Sequence, residues 1–284
     1  MLATGGEGAD RGPVRPDEVV AVSAAQLSKA KVAMRRLSAP LVAPLLPGRI
    51  EANRGGLQRA GFLAGSGMGV LVLINHFSLR DGFDTFRLLF AHPALRRLPM
   101  LAPAASHLVQ RRSIDLLATL FAVDIAPMTS PEAVARYGLD PSSGQNVMTY
   151  SRAAIERLAG GSLVLVAPQV GRRPCLAPPE GMRPVSLLLA QARRKRVADF
   201  CLLFVGLGLA GARAYSVETT GGLNLGQRYE LRVGEAFTLD EAIRLAGGLR
   251  EVEGWVYEQL APLVPAAYLC QANRDKPELN KERS

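Results

Sequence analysis

Residues 71–86 of the chain read LVLINHFSLRDGFDTF, and this stretch decides the fold class. A short apolar run over residues 70–74, bounded by a glycine and an asparagine, predicts a buried strand, and residues 83–90 predict a helix after it. His76 follows the strand, and Asp81 comes five residues later. Open α/β sheets bind their ligands at the carboxyl ends of their strands, so this position favours a functional His76 over a histidine of the core.

Apolar runs and helical patterns alternate along the rest of the chain. The other predicted strands cover residues 162–167, 200–207 and 229–234, and the predicted helices cover 151–161, 185–196 and 239–263. This alternation predicts a single α/β domain over residues 51–270, with a mixed, mostly parallel central sheet flanked by helices.

Three shorter regions lie outside the predicted domain. Residues 1–16 are predicted to be a disordered leader, and residues 271–284 a polar tail. Residues 17–50 are predicted to be an N-terminal helical segment, because they contain apolar residues at helical spacing opposite lysines and arginines. Such an amphipathic helix either packs over the core or lies on a membrane surface, and the sequence leaves both open.

The net charge of +9 is concentrated in the middle of the chain, where residues 93–213 hold 15 Lys and Arg against 7 Asp and Glu. A nucleic acid, an anionic membrane surface or a phosphorylated substrate would each be attracted to such a region. The chain has one Trp, 6% aromatic residues and no recognition motif for nucleic acid. We therefore expect no nucleic acid, and the charge leaves an anionic membrane surface and a phosphorylated substrate open as partners.

The apolar stretches and the cysteines bear on the compartment. The longest apolar stretches, residues 61–75 and 200–212, fall short of the roughly 20 residues that span a bilayer, and no secretory signal opens the sequence. The three cysteines, Cys175, Cys201 and Cys270, are an odd number without metal-ligand spacing. We therefore expect reduced, structural cysteines, no metal site and cytoplasmic residence.

His76 and Asp81 have the residue types of an acid–base pair. A histidine takes a proton from an alcohol near neutral pH when an acceptor on its other ring nitrogen fixes its tautomer, and Asp81 supplies that acceptor if the chain turns between them. The chain has no Gly-x-Ser-x-Gly elbow, and Ser78 is too close to His76 for a serine-hydrolase arrangement. The expected nucleophile is therefore a hydroxyl group of the substrate.

The sequence Asn75-His76-Phe77-Ser78, followed by Asp81 and preceded by a buried strand, resembles the first motif of the glycerolipid acyltransferases. The hallmark of this family, that of 1-acylglycerol-3-phosphate acyltransferase, is His followed by four residues and Asp. The resemblance implies that His76 is the general base and that Asp81 orients it. It also implies substrate-binding roles for Asn75 and Ser78, an acyl thioester donor such as acyl-CoA or acyl carrier protein, and no cofactor.

The third motif of the family, a strand followed by Pro-Glu-Gly-Thr-Arg, has two counterparts here. Residues 168–172 read PQVGR directly after the strand predicted at 162–167. Residues 179–183 read PEGMR, which matches more letters but has no predicted strand before it. The first copy is preferred because the family's site uses backbone at a strand end, and the second remains the alternative.

The preferred copy departs from the family at two positions, with Gln169 in place of Glu and Val170 in place of Gly. The resemblance implies that Gln169, Gly171 and Arg172 bind the substrate, with Arg172 meeting a phosphate or the thioester donor. Because a glutamine carries no charge, the contact of Gln169 with the acceptor is expected to differ from that of the family's glutamate.

The second motif of the family ends in an arginine that binds the phosphate of the acceptor. Met128 or Thr129 stands at that position here, and Arg111 and Arg112 lie upstream as alternatives for the role. The acceptor is therefore left open between a glycerol-phosphate-type lipid and another alcohol.

The resulting expectation is an O-acyltransferase that moves a fatty acyl group from an acyl thioester to a hydroxyl of a lipid or glycerol-phosphate-type acceptor. It would be a cytoplasmic protein that lies peripherally on the inner, anionic face of the membrane. The alternative is a catalytically silent member of the family that serves as a lipid-binding or membrane-surface scaffold. The altered second and third motifs favour the alternative, whereas the intact His76 and Asp81 favour the enzyme.

Overall fold

The computed structural model describes residues 48–52, 54–78, 80–105, 118–119, 121, 123–129, 147–178, 181, 183–197, 199–211 and 228–269. The strands of this part of the chain are β1 (Gly48–Ala52), β2 (Val70–Ile74), β3 (Met100–Ala105), β4 (Val123–Met128), β5 (Leu163–Val166), β6 (Cys201–Leu209) and β7 (Tyr229–Thr238). The helices are α1 (Arg54–Gly65), α2 (Asp81–Ala91), α3 (Val147–Ala159), α4 (Pro184–Arg194), α5 (Leu239–Leu245) and α6 (Val252–Leu260). Short 3₁₀ turns cover Leu95–Arg97, Ala261–Leu263 and Ala266–Tyr268.

The strands form one seven-stranded sheet in the order β1-β7-β6-β2-β5-β3-β4. Strands β6, β2, β5, β3 and β4 run parallel to one another, β7 is antiparallel to β6, and β1 is parallel to β7. The predicted α/β domain with a mixed, mostly parallel sheet flanked by helices is therefore confirmed.

The core is built on the three central strands, β2, β5 and β6, whose residues are all buried. A parallel strand that is covered on both faces consists of a continuous apolar run, which is why these three strands were visible in the sequence. Helix α4 packs between α3 and α6, α3 packs on β3, β4 and β5, α6 packs on β6, and α1 packs on β6 and β7.

Strands β3 and β4 were missed in the sequence because both contain proline. Strand β3 reads MLAPAA and strand β4 reads VDIAPM, and proline and alanine are both uncommon in strands. The structure accommodates the prolines because β4 is an edge strand and β3 pairs with β5 only through Met100 and Leu101, before Pro103.

The predicted N-terminal helical segment, residues 17–50, extends too far. Residues 48–50 belong to β1, which pairs with β7 at the edge of the sheet. The strand has the sequence GRIEA, with one large apolar residue, so its pattern is too weak to separate it from the preceding segment. Residues 17–47, the leader 1–16 and the tail 271–284 lie outside the described residues.

The prediction of three reduced cysteines is wrong for Cys175, which is disulfide-bonded. Cys201 is free and buried, and Cys270 lies outside the described residues. An odd number of cysteines without a spacing pattern cannot reveal which of them the fold brings together. Because Cys175 is disulfide-bonded, reduced cysteines do not support cytoplasmic residence. Among the helices described, none is both long enough and apolar enough to cross a membrane.

Candidate active site

The site lies where the loops that follow β2 and β5 meet. The two strands are parallel neighbours, with Leu73 opposite Val166, so their carboxyl ends share one edge of the sheet. His76 follows the end of β2 by two residues, and Gln169 follows the end of β5 by three. The fold thus brings the first motif and the preferred copy of the third motif together.

His76 and Asp81 form the predicted pair. Nδ1 of His76 lies 3.0 Å from Oδ2 of Asp81. The same carboxylate oxygen accepts hydrogen bonds from the backbone N–H groups of Phe77 at 2.6 Å and Ser78 at 2.8 Å. Because this oxygen accepts from two backbone N–H groups, Nδ1 of His76 is placed as a third donor to it, and in a neutral imidazole Nε2 then keeps its lone pair. This is the tautomer that a general base requires.

His76 and Asp81 differ in solvent exposure, so that a substrate could reach the histidine while the aspartate stays inside the protein. The side chain of His76 is 29% exposed and that of Asp81 is fully buried. Within residues 75–78, 80 and 81, only His76 is not buried. The turn formed by residues 75–81 therefore exposes one titratable side chain, that of His76, among its described residues.

Asn75 holds the start of the turn by extending the pairing of β2 with β6. Its Nδ2 donates to the carbonyl of Leu207 at 2.9 Å, and its Oδ1 accepts from the N–H of Leu207 at 2.7 Å. The side chain is fully buried. Its amide therefore acts on the backbone of β6, and its predicted contact with substrate stays a prediction.

Ser78 and Arg80 hold the other half of the turn through Tyr229 of β7. The Tyr229 hydroxyl donates to Oγ of Ser78 at 2.7 Å, and the backbone N–H of Arg80 donates to the same oxygen at 3.2 Å. The guanidinium carbon of Arg80 lies 4.3 Å from the centroid of the Tyr229 ring. Ser78 is fully buried and already engaged by the protein, so its substrate-binding role also stays a prediction.

A buried ion pair anchors the turn to the first turn of α2. Nε of Arg80 lies 2.7 Å from Oδ2 of Asp84, and both side chains are almost completely buried. Burial raises the pKa of the Asp84 carboxyl, and the hydrogen bond and charge of Arg80 oppose that rise. Ionisation of Asp84 therefore depends on Arg80, because an isolated carboxylate is costly at a buried position.

Gln169 and Tyr268 both contact the backbone of His76. Oε1 of Gln169 accepts from the N–H of His76 at 3.0 Å, and Nε2 donates to the carbonyl of Cys175 at 2.7 Å. The ring of Phe77 packs between Tyr229 and Tyr268, with centroid distances of 5.6 and 5.5 Å. The turn is thus supported from β5, from β7 and from the C-terminal 3₁₀ turn.

The loop of the preferred third motif has an unusual backbone. Val170 has φ of +50° and Gly171 has φ of +120°. The left-handed region suits glycine, and a β-branched residue there is strained. Arg172 is half-buried in the same loop, next to Gly171, which is exposed.

The alternative copy of the third motif lies elsewhere. Gly181 is exposed, and Nη1 of Arg183 donates to the carbonyl of Arg250 at 3.3 Å. Pro179, Glu180 and Met182 lie outside the described residues. Only the copy at 168–172 is seen in contact with His76, through Gln169.

The positions compared with the second motif lie at the end of β4, where Met128 and Thr129 are half-buried. Strand β4 is separated from β2 by two strands, about 14 Å at the usual spacing. Arg111 and Arg112 lie outside the described residues. Phosphate recognition by the second motif therefore stays a prediction.

Two further features bear on the chemistry. Burial raises the pKa of Cys201 to about 12, so this thiol stays protonated near neutral pH and is not a nucleophile. Within the described part of the chain, His, Cys, Asp and Glu side chains nowhere form a group of three or more that could hold a metal ion.

Sequence reasoning missed Arg80, Tyr229 and Tyr268. Tyr229 and Tyr268 reach the turn from 151 and 192 residues away in the sequence, and an isolated tyrosine carries no signal of such a contact. Arg80 and Asp84 did carry a signal, because opposite charges four residues apart lie on one face of a helix.

No protein-family model matches the chain, and no curated protein matches it in sequence. Among solved structures, the chain is similar to the crystal structure of the 1-acyl-sn-glycerophosphate (LPA) acyltransferase PlsC from Thermotoga maritima. The identity is 13%, the match covers 81% of this chain and 77% of that chain, and the TM-score is 0.46.

Proposed function

We propose that the chain is an O-acyltransferase that moves a fatty acyl group from an acyl thioester, acyl-CoA or acyl carrier protein, to a hydroxyl of a lipid or glycerol-phosphate-type acceptor. One observation carries the proposal. A partly exposed His76 is held at 3.0 Å by a buried Asp81 at the carboxyl edge of a mostly parallel sheet. The resemblance of this turn to the first motif of the glycerolipid acyltransferases agrees with it.

The proposed reaction uses His76 twice. Nε2 accepts the proton of the acceptor hydroxyl as its oxygen attacks the carbonyl carbon of the thioester, and Asp81 stabilises the imidazolium that forms. The tetrahedral intermediate then collapses, the carbon–sulfur bond breaks, and the thiolate takes the proton from His76. The products are an ester and a thiol, and neither a protein nucleophile nor a cofactor is consumed.

Gly171 and Arg172 are the proposed substrate contacts on the loop that follows β5. Gly171 is exposed, and a Cβ atom built there would meet nothing within 4 Å, which leaves room for a substrate to approach the backbone. Arg172 would meet a phosphate of the donor or the acceptor, since a guanidinium matches the geometry of phosphate oxygens.

The proposed place of action is the inner face of a membrane, with the protein bound peripherally. Support comes from the net charge of +9 and from the amphipathic pattern within residues 17–50. Anionic headgroups attract such a protein, and the acceptor lipid would be present at the same surface.

Incubation of the purified protein with an acyl-CoA mixture and a lipid extract, followed by mass spectrometry, tests the proposal. The expected result is a new acyl ester together with an equal amount of free thiol. A His76→Ala variant that folds but forms no ester would assign the activity to this site. Absence of any ester with the folded wild-type protein and with either thioester donor would favour the silent lipid-binding scaffold.

A further inference from the structure

Gln169 is fully buried, and its amide connects two backbone groups of the site. Its Oε1 accepts from the N–H of His76 at 3.0 Å, and its Nε2 donates to the carbonyl of Cys175 at 2.7 Å. A backbone N–H only donates and a carbonyl only accepts, so these two partners fix which way the amide is oriented. We propose that Gln169 is a positioning residue that holds the backbone of His76, and that it does not contact the acceptor.

Tyr268 is the second part of this support. Its hydroxyl lies 2.8 Å from the carbonyl oxygen of Arg173, 3.2 Å from that of His76 and 3.3 Å from Oε1 of Gln169. The N–H of Arg173 in turn donates to the carbonyl of His76 at 3.0 Å. Both backbone groups of His76 are therefore held by the loop that follows β5, and Tyr268 braces that loop.

The C-terminal segment is attached to the same loop. The N–H of Leu176 donates to the carbonyl of Tyr268 at 2.7 Å, and Leu176 forms an isolated parallel bridge with Leu269. Tyr268 is fully buried, so its hydroxyl cannot turn out to solvent without displacing this segment. The position of the imidazole thus depends on residues that never touch the substrate.

A glutamate could not replace Gln169 in this role when ionised. Both oxygens of a carboxylate accept, so one of them would face the carbonyl of Cys175 without a proton between them, and a charge would be buried. A protonated carboxyl group, in contrast, donates one hydrogen bond and accepts another. The variant Gln169→Glu should therefore position His76 at low pH and release it as the pH rises through the pKa of the new carboxyl group.

The inference rests on the proposed acyl transfer, but it can be tested without it. The chain contains three histidines, so ¹⁵N-histidine labelling gives few imidazole signals, and the His76→Ala variant assigns that of His76. In Gln169→Glu this signal should show a pH-dependent change in addition to any change that the wild type shows. The control is Gln191→Glu, a buried glutamine on α4, which should leave the His76 signal unchanged.

Kinetics supply the second readout. Relative to the wild type at the same pH, kcat of Gln169→Glu should fall at least about tenfold as the pH rises, because a small displacement of a catalytic group is costly, while KM and acceptor preference stay as in the wild type. Tyr268→Phe should also lower kcat and leave KM unchanged, but by the same factor at every pH. This variant tests the positioning role of the loop if Gln169→Glu does not fold. An unchanged His76 signal with an altered KM for the acceptor would overturn the inference and make Gln169 a substrate contact. The NMR result stands even if the wild type transfers no acyl group, which separates this inference from the proposed function.

Discussion

At the scale of single residues, the site depends on the turn at residues 75–81, most of which is buried and hydrogen-bonded within the protein. Of the described residues within 75–81, all but His76 are buried; Asn75 and Ser78 contact β6 and β7, and Asp81 accepts hydrogen bonds from the turn itself. A histidine held in this way needs no large rearrangement to act as a base, and preorganisation of this kind lowers the barrier of a reaction. The proposed reaction would depend on one atom of the turn, Nε2 of His76.

Val170 gives a prediction about strain at the edge of this site. Its φ of +50° suits glycine, and a non-glycine residue there costs roughly 1–2 kcal/mol. Val170→Gly should therefore be more stable than Val170→Ala by about 0.5–1 kcal/mol, since glycine loses part of its advantage through the entropy of the unfolded chain. Urea unfolding of the two variants measures the difference. An alanine variant as stable as the glycine variant would show that the loop is unstrained.

At the scale of elements, the connection between the turn and α2 depends on the buried pair of Arg80 and Asp84. Arg80→Met leaves Asp84 buried without its partner and should cost about 3–5 kcal/mol in the free energy of unfolding. The double variant Arg80→Met with Asp84→Leu should recover most of that loss, because buried ion pairs are often replaced by apolar pairs without penalty. Urea unfolding tests both variants.

The exposed pair of Arg193 and Asp240 provides the control, since replacing it in the same way should cost less than about 1 kcal/mol. A double variant at positions 80 and 84 that is as unstable as Arg80→Met alone would contradict the account. In that case the packing of Arg80 against Tyr229, and not its charge, would stabilise the turn.

The contact between α1 and the end of α2 predicts a dependence of stability on pH. His92 lies against Gly61, where an added Cβ would come within 2.0 Å of its ring, and burial lowers the pKa of His92 below its ordinary 6.5. The unfolded chain therefore binds a proton more readily than the folded chain, and stability decreases as the pH falls from 6.5 to the lower folded value. Urea unfolding at a series of pH values should show a shallower decrease for His92→Asn. An identical slope in the two proteins would assign the acid sensitivity to other groups.

The sequence predicted those elements whose pattern is local. Strands β2, β5 and β6 are continuous apolar runs, and the pair of His76 and Asp81 is five residues apart, so both were visible. Strands β3 and β4 were not, because their prolines and alanines are tolerated only through their place near the edge of the sheet. The contacts of Gln169 and Tyr268 with His76 join residues 93 and 192 positions apart, and such contacts are set by packing rather than by pattern.

At the scale of the whole molecule, part of the positive charge lies far from His76, at the opposite edge of the sheet. Arg194, Lys195 and Arg196 are exposed at the end of α4 and directly after it, where the chain leads to the amino end of β6. His76 follows the carboxyl end of β2, which is parallel to β6, so the two edges are about 20 Å apart at 3.3 Å per residue. A membrane in contact with residues 194–196 would face away from His76.

This arrangement predicts which basic residues attach the protein to lipid. The protein should sediment with anionic vesicles and be released by salt, because the attraction is electrostatic and screened. Deletion of residues 17–37 should reduce this binding, whereas replacing residues 194–196 by glutamine should leave acyl transfer to a vesicle-bound acceptor unchanged. Binding that is independent of lipid charge and survives high salt would contradict the prediction.

The most direct test of the central claim is the pH–rate profile of ester formation by the wild type and by His76→Gln. If His76 takes the proton of the acceptor hydroxyl, the wild-type rate should rise with pH, because a general base acts only after it has lost its own proton. The rate of His76→Gln should be lower by about 10²–10⁴-fold and lack that rise, with thermal unfolding unchanged. A folded His76→Gln variant that forms ester at a rate near that of the wild type, with the same profile, would contradict the account.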